Sequence, residues 1–136
     1  MNKLLLLIFI GLIWSACTDS KKQENDLRDD LLRVHDKIMG NDEMLMKNKM
    51  KLDSLLKRSA IDAAEKIKIN ALDNKLGTAE EAMENWMHQF EPDVTGKSHE
   101  EIMNYYNKQK KIIMSVDSQM NVAIAESNKY LSNKSK

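Results

Sequence analysis

A four-three spacing, mostly of apolar residues, runs through three long segments of this chain and dictates what it can fold into. The first segment holds Leu27, Leu31, Val34, Ile38, Leu45, Leu52 and Leu55, with Asn41 and Asn48 at two of the same seam positions. The second holds Ala60, Ala64, Ile67 and Ala71, then Leu72, Leu76, Ala79, Met83, Trp86 and Phe90. The third holds Ile102, Tyr106, Gln109, Ile113, Val116, Met120, Ala123, Ser127 and Tyr130. Spacing of this kind lines one face of an α-helix but scatters over both faces of a strand, so it specifies helices. One proline and four glycines in 136 residues leave too few turn-formers for an all-β fold.

The helix boundaries follow from local chemistry. The first register passes straight through Gly40, which costs a helix about 1 kcal/mol relative to Ala without ending it. Leu32, Met39, Met46 and Leu56 add a flanking stripe, so the first helix is expected to touch two neighbours. Ser59-Ala60-Ile61-Asp62 reads as a capped start for the second helix, with the Ser59 oxygen receiving backbone N–H groups. Gly77-Thr78 with Glu81 is either a stop and a new cap or a kink, and the unbroken spacing favours one continuous helix. Residues 91–97 form the clear loop, in which Pro92 ends a helix and Gly96 permits a turn. Ser98-His99-Glu100-Glu101 matches a capping box for the third helix. Three helices with short connections predict an all-α fold, an elongated antiparallel up-down-up three-helix bundle over residues 26–134. Self-association of one long helix as an intermolecular coiled coil is the alternative; the two short turns favour the bundle.

The N-terminus carries an address. Lys3 precedes the apolar run from Leu4 to Ile13, which is half of the roughly 20 residues a spanning helix needs but suits a signal peptide. Trp14-Ser15-Ala16-Cys17 resembles a bacterial lipobox, although Trp14 replaces the usual aliphatic residue. The expectation is a signal peptide over 1–16, a lipidated Cys17 opening a polar tether over 17–25, and a membrane-anchored protein on the periplasmic or surface side of the cell envelope. Cys17 is the only cysteine, so no intrachain disulfide can form. Lysine plus arginine number 21 and aspartate plus glutamate 21. This balance, mixed along the chain, provides no basic field for nucleic acid.

No catalytic signature is present: no Gly-rich phosphate loop, no Gly-x-Ser-x-Gly elbow, no His-Glu-x-x-His pair and no Cys-x-x-Cys-His. The adjacent pairs Asp29-Asp30 and Glu80-Glu81 diverge on a helix and read as solvated face. The chain is therefore expected to be no enzyme, to need no cofactor and to act by presenting a helical surface to an envelope protein partner. Methionine is the one chemical feature above background, with ten residues of that type and three histidines. Folded antiparallel about residues 57–59, the chain brings His35 and Met39 near Met83, Trp86 and Met87, with Met103 and Tyr105 or Tyr106 at the same end. Thioether and imidazole ligands suit Cu(I) or Ag(I), so His35, Met39, Met83 and Met87 form an alternative soft-metal or metal-chaperone site. Adaptable core packing is the ordinary reading of these methionines and the favoured one.

The segments Val34-His35-Asp36-Lys37-Ile38-Met39, Ala82-Met83-Glu84-Asn85-Trp86-Met87-His88-Gln89-Phe90 and Tyr105-Tyr106-Asn107-Lys108-Gln109-Lys110-Lys111-Ile112 resemble small Bacteroidota-type lipoproteins labelled "viral A-type inclusion protein". The resemblance covers most of the mature chain. It implies a helical lipoprotein and carries no catalytic residues with it.

Overall fold

The computed structural model describes the backbone of residues 2–58 and 61–134, and side chains from residue 19 onward. Three helices, α1 (Asn2–Leu56), α2 (Ala63–Gln89) and α3 (His99–Lys134), pack as an up-down-up bundle with no strand among the described residues. At 1.5 Å per residue, the 27 residues of α2 and 36 of α3 extend about 40 and 54 Å. Among the described residues, no helix is long and apolar enough to cross a membrane.

The core is the set of seam residues. Leu31, Ile38, Leu45 and Leu52 of α1, Leu76, Ala79 and Met83 of α2, and Ile113, Val116 and Met120 of α3 are all buried. Every seam position of α3 named above is buried, Gln109 and Ser127 included. Asn48 meets Ser127 in this core: its Nδ2 donates to Ser127 Oγ at 2.8 Å and to Asn128 Oδ1 at 2.9 Å. Buried amide and hydroxyl groups must find partners, so this pair fixes the axial register of α1 against α3. Glycines 40 and 77 interrupt nothing, and α2 is continuous through Gly77-Thr78.

Three sequence expectations need correction, and a fourth holds with one qualification. In the first half of α2, Ile69 is fully buried whereas Ile67 is 71% exposed, and Ala64 and Ala71 also face solvent. The seam runs upward from Leu72 through Ile69 to Glu65 without the one-residue slip that the alanine stripe would require. The cap of α2 is Asp62, in extended conformation with its carboxylate accepting from Glu65 N at 2.7 Å; Ser59 and Ala60 lie outside the described residues. The polar stretch over 18–25 is helical rather than irregular, and Glu24 packs into the bundle with its carboxylate 2.9 Å from His99 Nδ1. Finally, α1 does contact both other helices, but Leu32, Met39 and Met46 remain about two-fifths exposed.

The α2–α3 loop behaves as its residues dictate. Phe90 closes α2, Pro92 follows, and Gly96 supplies the positive φ of 82°. Ser98 and Glu101 then cap α3 reciprocally: Ser98 N donates to Glu101 Oε2 at 2.8 Å, and Glu101 N donates to Ser98 Oγ at 3.3 Å.

Candidate functional site

Two concavities flank α1, one facing each neighbour. The first lies between α1 and α2, where Met39, Met83 and Met87 line a cavity of about 150 Å³ together with Ile38, Asp42, Glu80, Glu84 and Met120. Its depth is graded, because Met83 and Met120 are buried while Met39 and Met87 stay about two-fifths exposed. Helical spacing explains the convergence: Met83 and Met87 stand one turn apart on α2, and Met39 projects from the facing flank of α1. Glu80 is held by Lys49 at 2.6 Å, and that contact raises the lysine pKa. Asp42 and Glu84 form no ion pair among the described residues.

His35 belongs to a different arrangement. Its ring lies 5.9 Å from Trp86, its Nδ1 lies 3.0 Å from Asp36 Oδ1, and it does not line the methionine cavity. From Trp86 an aromatic run continues to Phe90 at 4.9 Å, to Tyr105 at 6.2 Å and on to Tyr106 at 5.6 Å. Tyr105 Oη accepts a hydrogen bond from Glu91 N at 2.7 Å, tying the run to the loop. Such tilted and offset contacts add to simple area burial and close this end of the bundle. Trp86 Nε1 is buried without a hydrogen-bond partner among the described residues. Thus the structure gathers Met39, Met83 and Met87 into one cavity and diverts His35 from it. Cys17 lies outside the residues whose side chains are described.

The register about the first turn differs from the sequence expectation by roughly one helical turn. A fold centred on residues 57–59 sets His35 level with residue 82, whereas it meets Trp86, still within the expected group, because the connection runs to Asp62 and α2 begins only at Ala63. Sequence reasoning also missed Met120, Asp42 and Glu84. Met120 was visible as a seam residue of α3, but its level against α2 required the true register. The two carboxylates sat on faces that read as solvated.

The second concavity is a groove of about 700 Å³ between α1 and α3, near the α1–α2 turn. Met46, Met50, Leu55 and Leu131 supply its apolar surface, and Met50 is 67% exposed. Lys47, Lys51, Arg58 and Lys134 surround it, against the single carboxylate of Glu43. Lys134 is bridged to Glu65, whereas Lys47, Lys51 and Arg58 form no ion pair among the described residues. Nearby, Tyr130 donates to Glu65 Oε1 at 2.9 Å, and burial, then this bond, pushes its hydroxyl pKa up to about 12.

No cluster of three or more His, Cys, Asp or Glu side chains is placed to hold a metal among the described residues. No protein-family model, curated protein or solved structure matches the chain.

Proposed function

We propose that this chain is a non-enzymatic lipoprotein, anchored in a cell-envelope membrane through acylated Cys17, that presents a helical groove to an acidic, amphipathic helix of an envelope partner. The α1–α3 groove carries the reading. Its apolar surface, with Met50 67% exposed, suits the apolar stripe of a helix, and Lys47, Lys51 and Arg58, which form no ion pair among the described residues, complement carboxylates on that helix's flanks. Position along the bundle supports the same reading. Met50 lies 33 residues beyond Cys17 on α1, about 50 Å away at 1.5 Å per residue, so the groove faces away from an anchored membrane surface.

The test uses the anchored protein in its own membrane. Mass spectrometry should find Cys17 as an acylated N-terminus, and Cys17→Ala should leave the precursor uncleaved. A photo-crosslinking residue at position 50 should form one discrete protein adduct. That adduct should disappear when Lys47, Lys51 and Arg58 are reversed to Glu. An unmodified Cys17 would overturn the anchor; an adduct indifferent to the charge reversal would overturn the acidic partner.

A further inference from the structure

We propose that the cleft between α1 and α2 is a thioether site for a soft monovalent cation, Cu(I) or Ag(I), with Met39, Met83 and Met87 as ligands and Met120 beneath them. The proposal does not rest on the docking reading, since it concerns another face of α1. Four of the ten methionines line this one cavity. Neutral thioethers bind soft monovalent ions and discriminate against hard divalent ones. The side chain has three rotatable bonds, so sulfurs from two helices that line one cavity can turn toward a common ion. The graded burial is the second argument. Met39 and Met87 are open enough to take an ion from solvent, while Met83 and Met120 form a dry floor.

Charge completes the site. Thioethers leave the cation uncompensated, and the cleft rim supplies Asp42 and Glu84, neither of which forms an ion pair among the described residues. His35 is not a ligand here, because its ring packs on Trp86 and its Nδ1 faces Asp36. The ion stays monovalent throughout, and binding involves no redox step.

The decisive experiment is Ag(I) titration of the lipidated mature chain in detergent, repeated with Cu(I) under anaerobic conditions against a competing chelator. Alkylation of any unacylated Cys17 with N-ethylmaleimide serves as the control that removes free thiol. One ion per chain is expected, bound equally by the control. Met83→Leu/Met87→Leu should weaken retention by more than about tenfold, the scale on which even outer-shell changes act at metal sites. Leu conserves side-chain volume, so circular dichroism melting should show the fold intact. Asp42→Asn/Glu84→Gln should weaken binding less, and His35→Ala not at all. Thioethers do not titrate, so affinity should hold from pH 7 to about pH 5, where a free histidine ligand would protonate. X-ray absorption of the Cu(I) form should show sulfur scatterers alone. No retained ion, equal retention by the double Leu variant, or loss of binding in His35→Ala would overturn the site.

Discussion

Along α1, the flank toward α3 carries Asp30, Lys37, Asn41 and Asn48, each paired with the residue 80 positions further on: Lys110, Asp117, Asn121 and Asn128. The flank toward α2 carries His35, Met39 and Asp42, and among the described residues a single cross-helix ion pair, Lys49 to Glu80. Polar groups paired at a constant offset tolerate no sliding, because a shift by one residue would strand Asn48 in the core without its hydroxyl and amide partners. Methionine side chains accept many arrangements at similar energy. The parallel pair α1–α3 is therefore the specified scaffold of the bundle, and the antiparallel pair α1–α2 keeps an adaptable cleft. Burial tells the same story, since α1 shares its larger interface with α3.

The largest expected effect comes from placing one charge on each side of this contrast. Ile113→Asp puts a carboxylate at a fully buried seam position and should cost about 4 kcal/mol or more, enough to unfold a marginal bundle. Met39→Asp, at the open cleft, should cost less than about 1 kcal/mol. Chemical denaturation of both variants checks the pair. Comparable losses would mean the cleft is as tightly packed as the seam.

Acid should act on the α3 interfaces first. His99 holds Glu24 below the usual carboxylate range, Lys110 and then Arg33 do so for Asp30, and Lys134 and then Tyr130 for Glu65. A carboxylate with a lowered folded-state pKa binds its proton more readily in the unfolded chain. Its stabilisation is therefore complete above the ordinary carboxylate value near about 4 and is lost as pH falls below it. The melting temperature should stay level from pH 7 to about 5 and then decline. Glu24→Gln/Asp30→Asn should lower the plateau and flatten the acid limb. An unchanged acid limb in that variant would remove these pairs from the account.

The smallest effect is a gain. An added Cβ at Gly40 meets nothing within 4 Å, so Gly40→Ala should stabilise α1 by about 0.5–1 kcal/mol. Because Gly40 is exposed, the gain should appear equally with the cleft intact or altered by Met39→Leu. A loss of stability would show that Gly40 is needed for more than helix continuity.

How legible each part was in the sequence follows from the same contrast. The seams of α1 and α3 were readable residue by residue because branched and long apolar side chains left one consistent face. The start of α2 was not, because alanine is as comfortable on a solvent face as in a seam. Ala64 and Ala71 therefore traced a false stripe beside the true one through Ile69. Glu24 looked like part of a tether because its reason for burial, His99, lies 75 positions away. At the candidate site, Met39, Met83 and Met87 were legible from spacing alone. His35 does meet Trp86, as the antiparallel fold led one to expect, but it stands outside the methionine cavity because its ring packs on the indole and its Nδ1 faces the adjacent Asp36. Lys47, Lys51 and Arg58 lie close together in the sequence, but the groove they border was not legible, because its other wall, Leu131 and Lys134 of α3, arrives only on folding.

The measurement that most directly tests the contrast is a pair of double-mutant cycles read by equilibrium denaturation. One cycle combines Asn48→Ala with Ser127→Ala across α1–α3, and the other combines Lys49→Ala with Glu80→Ala across α1–α2. The account predicts a coupling of about 1–2 kcal/mol for the buried pair and no more than about 0.5 kcal/mol for the partly solvated ion pair. Equal couplings, or a stronger one at Lys49–Glu80, would contradict the claim that α3 sets the register and leaves the α2 cleft free.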